Sequence, residues 1–156
     1  MVRYAHISIV ARDAGKLIDF YKTVLGCKSI GETRDLSGGW LDRLTGVTGA
    51  HIAGEHLLLP GYGSDGPTLE IFSYGTLRET VPAEINRPGI AHIAFAVEDV
   101  KTTLSEIIKA GGSSVGELVT ARYGGDLEGT FVYARDPEGN IVELQNWRKA
   151  KEPASK

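Results

Sequence analysis

One cysteine, one methionine and an aromatic content of only 8% are the scarcities of this 156-residue chain. Cys27 has no second cysteine to meet, which excludes an internal disulfide. Its place just after Gly26 predicts a half-buried strand residue rather than a nucleophilic thiol. No apolar run approaches the ~20 residues needed to span a bilayer. Met1 leads directly into an alternating strand pattern, with no charged and apolar leader segment before it. The expectation is a soluble, cytoplasmic protein without a membrane partner. Runs of Lys and Arg are also missing, and the formal net charge is −3. Without that electrostatic footprint for a phosphate backbone, nucleic acid is not an expected partner.

What the chain does contain is a repeat. Tyr4-Ala5-His6-Ile7-Ser8-Ile9-Val10 is echoed by Ile90-Ala91-His92-Ile93-Ala94-Phe95-Ala96, at an offset of 86 residues from His6 to His92. The same offset pairs Asp13 with Asp99, Ile18 with Leu104, Tyr21 with Ile107 and Gly26 with Gly112. A register sustained over so many positions indicates duplication. At 42% hydrophobic, a chain of this length can bury one sizeable core but not two independent ones, so the halves must share a fold. We read one domain over residues 1–148, with module one at 1–75, a linker at 76–88, module two at 89–148 and a flexible tail at 149–156.

Each half reads as strand, helix, then strands. Residues 2–10 alternate, with Ala5, Ile7 and Ile9 on one face and His6 and Ser8 on the other. Asp13 occupies an N-cap position, Ile18, Tyr21 and Leu25 recur at helical spacing, and Gly26 supplies a left-handed stop, which predicts a helix over 13–25. In the second half Asp99 caps a stripe of Val100, Leu104, Ile107 and Ile108 that ends at Gly111-Gly112. Strands are expected over 27–34, 51–59 and 68–74, and again over 114–120, 130–135 and 140–147, with Asp136-Pro137-Glu138-Gly139-Asn140 as a hairpin turn. Residues 37–50 form an insertion without a counterpart, a short helix or a lid.

Four potential metal ligands fall at matching places in this pattern: His6, Glu70, His92 and Glu143. His92 shares its face with Ala94 and Ala96. On the last strand of each half, Glu70 and Glu143 oppose an apolar face of Leu, Ile or Val. If the helices cover those apolar faces, both histidines and both glutamates project to the other side. Two imidazoles and two carboxylates make a set suited to one divalent Zn, Ni, Co, Mn or Fe ion, with positions open for substrate or water. Buried carboxylates without such a partner are costly. His51 and His56, which lack a repeat partner, read instead as hydrogen-bonded structural residues. For a small-molecule substrate, Trp40, Arg122 and Tyr123 are the candidate contacts, and Gly124-Gly125 a mobile rim.

The segments around His6, Leu69-Glu70-Ile71, Gly89-Ile90-Ala91-His92-Ile93-Ala94-Phe95 and Asp136-Pro137-Glu138-Gly139-Asn140-Ile141-Val142-Glu143-Leu144 resemble the signature segments of the vicinal oxygen chelate superfamily. The likeness covers nearly the whole chain. It implies an α+β fold of two βαβββ modules forming a cupped mixed sheet around a divalent metal, a homodimer, and chemistry in which two adjacent substrate oxygens chelate the metal. Glyoxalase I enzymes carry His, Glu, His, Glu in this order, matched here by His6, Glu70, His92 and Glu143. Methylmalonyl-CoA epimerases are similar but place glutamine where Glu70 stands. Fosfomycin-resistance enzymes and extradiol dioxygenases use two histidines and one glutamate, and bleomycin-binding relatives lack the set. The insertion at 37–50 and the long linker depart from compact bacterial glyoxalases, and there is no assured arginine pair for glutathione. The resemblance implies a metal-dependent lyase, isomerase or epimerase with Glu143 and Glu70 as proton-transfer groups. The alternatives are an Fe(II) or Mn(II) ring-cleaving dioxygenase and a non-catalytic small-molecule-binding resistance protein.

Overall fold

The computed structural model describes residues 1–79 and 81–150. The chain divides into two compact units, Met1–Val81 and Pro82–Lys156. Of the tail expected at 149–156, residues 151–156 lie outside the described residues. The described residues form three helices and two mixed sheets, of four and five strands.

Unit one runs β1 (His6–Val10), α1 (Ala14–Thr23), β2 (Lys28–Ser37), α2 (Gly39–Thr45), β3 (His51–Leu58), β4 (Thr68–Tyr74). The sheet order is β1-β4-β3-β2, with β1 parallel to β4 and the other pairs antiparallel. The first strand is shorter than the alternation predicts, because residues 2–5 make no ladder. Helix α1 forms where expected: the Asp13 carboxylate accepts from Lys16 N at 3.1 Å. Past its last turn Gly26 takes φ +70°, and Cys27 N donates to Tyr21 O at 3.0 Å. The helix buries Leu17, Ile18, Phe20 and Tyr21 and packs on β3 and β4. There the sheet presents Leu57, Leu69 and Ile71, all fully buried. Each such side chain contributes about 1.5–3 kcal/mol by leaving water.

The insertion at 37–50 contains α2, a short helix. It contributes Leu41 to a second cluster with Ala50, Ile52 and Phe72. Asp42 closes its exit loop by accepting from Gly49 N and Ala50 N, both at 2.9 Å. Ile52 and Phe72 stand on the face of the sheet opposite Leu69 and Ile71, by the two-residue alternation of β3 and β4.

Unit two repeats the plan with β5 (Ile93–Ala96), α3 (Val100–Lys109), β6 (Ser113–Ser114), β7 (Val119–Tyr123), β8 (Leu127–Arg135) and β9 (Ile141–Lys149). Asp99 caps α3, accepting from Thr102 N at 2.6 Å. Strand β5 is parallel to β9, and β8 is antiparallel to β9. Val132, Ala134, Val142 and Leu144 form the buried face on the side of α3. The hairpin turn at Asp136 is present: its carboxylate accepts from Glu138 N, Asn140 N and Asn140 Nδ2 at 2.8–2.9 Å. The strand expected over 114–120 is instead two pieces, β6 and β7, both laid antiparallel on β8. Its counterpart β2 carries a register shift between Ile30 and Arg34, the matching place in the repeat. Both are edge strands, where an interruption removes few ladder bonds and discourages pairing with another sheet.

Among the described residues no helix is long and apolar enough to cross a membrane.

Candidate functional site

In unit one, Glu70 on β4 stands directly opposite His56 on β3, and β1 runs along the other side of β4. Cross-strand partners project to the same face. His56 Nε2 lies 2.9 Å from Glu70 Oε1, while His6 Nε2 lies 3.5 Å from Glu70 Oε2. The two imidazoles meet edge to face with centroids 6.0 Å apart. The Glu70 side chain is 17% exposed and that of His56 22%. Burial lowers the pKa of His56 below the ordinary histidine range; Glu70 opposes this, and Arg34 and His6 add to it.

Unit two presents the corresponding arrangement just before β5 and on β9. His92 Nε2 lies 2.9 Å from Glu143 Oε2, with side chains 29% and 16% exposed. Opposite Glu143 in the register stands Tyr133, whose ring lies against His92 with centroids 5.1 Å apart. The other ring nitrogen of His92, Nδ1, is buried without a hydrogen-bond partner among the described residues. Each unit therefore brings together one predicted histidine and one predicted glutamate, on the sheet face away from α1 or α3.

The donor chemistry of these pairs fits a divalent metal. Two ligands bound to one ion at about 2.1 Å stand about 3.0–3.5 Å apart for angles between square and tetrahedral, and the two N–O separations are 2.9 and 3.5 Å. Among the described residues there is no group of three or more His, Cys, Asp or Glu side chains arranged to hold an ion. Each pair lies within its own unit.

The remaining candidates are distributed as follows. Tyr123 stands opposite Leu127, and the alternation of β7, β8 and β9 places it on the Glu143 face with Phe131 and Trp147. The three rings form an aromatic cluster with centroid separations of 4.9–6.0 Å. Gly129 makes room for it, since a Cβ there would lie 2.3 Å from Phe131 and 3.0 Å from Trp147. Arg122 is on the opposite face, toward Glu128, which also holds Arg148 at 2.7 Å. The structure thus separates Arg122 from Tyr123. Trp40 is half exposed at the start of α2. His51 pairs with Asp35 at 2.5 Å at the surface, and Cys27 is buried. A surface depression lined by Arg12, Asp13, Thr33 and Glu55 includes none of the four predicted ligands. His56, read from the sequence as a structural residue, lies against Glu70, a pairing that sequence reasoning missed. Its only signal is its place in the alternation of β3, mirrored across the hairpin from Glu70.

Comparison with solved structures places this architecture among known folds. A glyoxalase family protein from Bacillus cereus matches with a TM-score of 0.80 at 24% identity, covering 94% of this chain and 95% of that one. A glyoxalase/dioxygenase from Nostoc punctiforme matches with a TM-score of 0.62 at 21% identity, covering 94% and 92%. The fosfomycin resistance protein FosX from Listeria monocytogenes, solved with Mn(II) and sulfate, matches with a TM-score of 0.56 at 17% identity, covering 94% and 93%. At these identities the likeness is one of fold. The sequence itself matches a family description over residues 3–144, and the chain belongs to the Glyoxalase/Bleomycin resistance protein/Dioxygenase superfamily.

Proposed function

We propose that the protein is a divalent-metal-dependent lyase or isomerase, of the glyoxalase I or epimerase type, acting on a small α-oxygenated carbonyl compound. His6, Glu70, His92 and Glu143 are its metal ligands, one ion per site, and the working species is a homodimer. The observation that carries this reading is the recurrence of one imidazole–carboxylate pair at matching positions in two duplicated units, with N–O separations of 2.9 and 3.5 Å. A bound divalent ion would polarise the two substrate oxygens and lower the cost of the enediolate.

The chain's own groups do the proton work. Glu143, with only a sixth of its side chain exposed, is the candidate to accept the proton from the activated carbon, and Glu70 to serve the other unit's part of the transfer. Return of the proton to a neighbouring carbon gives isomerisation, and return to the same carbon from the other side gives epimerisation. The aromatic cluster of Tyr123, Phe131 and Trp147 offers an apolar wall on the Glu143 face, and Trp40 a half-exposed ring beside α2. Arg122, directed toward Glu128, is not assigned to the substrate.

The test joins elemental analysis to proton exchange. Protein purified without chelator is expected to carry stoichiometric divalent metal, and His6→Ala or His92→Ala to lose it. With a bound α-hydroxycarbonyl compound, the wild type should exchange the activated C–H proton with solvent deuterium without consuming O2. Glu143→Gln still offers an oxygen ligand but cannot accept a proton, and should lose exchange by about 10²- to 10⁴-fold. Full metal content in a variant carrying both His6→Ala and His92→Ala would defeat the ligand assignment. Full activity in both Glu143→Gln and Glu70→Gln, or strictly O2-dependent turnover of a catechol, would replace proton transfer with ring-cleaving dioxygenase chemistry.

A further inference from the structure

The two units are alike at the histidine and the glutamate but differ at the residue facing the glutamate across the sheet. In unit one that residue is His56, paired with Glu70; in unit two it is Tyr133, paired with Glu143. The difference changes what each carboxylate does with its oxygens. His56 Nε2 makes an ion-pair contact with Glu70 Oε1 at 2.9 Å. The other oxygen, Oε2, is left facing His6. Tyr133 instead makes ring contact with His92.

The His56 ring is itself held. Phe72 meets it edge to face at 5.7 Å, and Phe72 is buried in the cluster built around Leu41 of α2. A chain of packing therefore runs from the insertion helix through Phe72 to His56 and on to Glu70. We infer that His56 is a positioning residue: by holding Oε1 it fixes the Glu70 rotamer and reserves Oε2, beside His6, for the metal. This rests on the proposed metal centre. It also makes the two carboxylates unequal, since among the described residues Glu70 meets two imidazoles and Glu143 one. Donors that orient a ligand in this way typically contribute 10- to 100-fold in metal affinity.

The experiment is a Co(II) titration of metal-free protein, read by visible absorption, on wild type, His56→Leu, His56→Gln and His56→Asn, with His92→Ala as reference and melting of each metal-free variant alongside. Gln can still reach Oε1 with an N–H donor, whereas Asn is polar but one bond too short. His56→Leu and His56→Asn are expected to bind one Co(II) about 10- to 100-fold more weakly, with shifted ligand-field bands. His56→Gln should recover most of the affinity and the wild-type spectrum. Equal affinity and an unchanged spectrum in His56→Leu would overturn the inference and leave His56 a packing residue. A Gln variant as weak as Asn would overturn it by showing that the imidazole itself is required; this comparison decides even if the Leu variant fails to fold. Should wild type bind Co(II) no better than His92→Ala, the metal reading itself falls and takes the inference with it.

Discussion

At pH 8 the Cys27 thiol should be almost inert, because burial pushes its pKa up to about 11. Roughly one molecule in a thousand would then carry a thiolate, the form that reacts. We expect native protein to be labelled by an aromatic disulfide at least 100-fold more slowly than the same protein in denaturant, and equal rates would contradict the burial of this side chain. From its place beside a helix-ending glycine Cys27 is expected to be a half-buried strand residue; it is instead buried, one residue before β2, because the chain turns inward after α1. The histidines were not equally legible. His6 and His92 stand out because each is the other's repeat partner. His56 has no such echo, since the matching position is Tyr133, and only strand pairing reveals that it reaches Glu70. Arg122 misleads for a related reason: it is adjacent to Tyr123 in sequence, and adjacent residues of a strand face opposite sides.

Both long helices begin on an aspartate whose carboxyl pKa is lowered, chiefly by the backbone N–H it accepts: Lys16 for Asp13 and Thr102 for Asp99. A carboxyl depressed in the folded state adds stability that is present above its unfolded pKa, near 3.9, and lost as pH falls through the lower folded value. Asparagine caps nearly as well but does not titrate there. The Asp13→Asn, Asp99→Asn double variant should therefore melt close to wild type at pH 7 and show a shallower loss of melting temperature below about pH 4. Identical acid limbs by circular dichroism would argue that these caps carry no linked proton. These helices were readable because cap, stripe and stop are all local signals. The interruption between β6 and β7 was not, since nothing in residues 113–123 alone states which part of the segment pairs with β8. The short helix α2 stood open as helix or lid because its stabilising contact, Leu41 against Phe72, joins residues far apart in sequence.

Two units, each with its own sheet, are what duplication of a strand–helix–strands pattern yields, and this level was the most legible of all. As a proposal, a chain of 16.8 kDa with such modest units is completed by a second copy. Sedimentation equilibrium at micromolar concentration should give about twice that mass, and a monomer with full metal content would contradict the dimer. The parallel pairing of β1 with β4, and of β5 with β9, has a consequence for the order of folding. Antiparallel neighbours joined by short loops have little entropy of closure to overcome, so β3–β4 and β8–β9 zip early. A parallel pair joining the first and last strands of a unit must wait for the chain between them. Glu70 meets His56 in the fast hairpin, whereas His6 and His92 reach their carboxylates only as each unit closes. Ion capture would then be a late event in maturation, reserved for chains that have already threaded their first strand home.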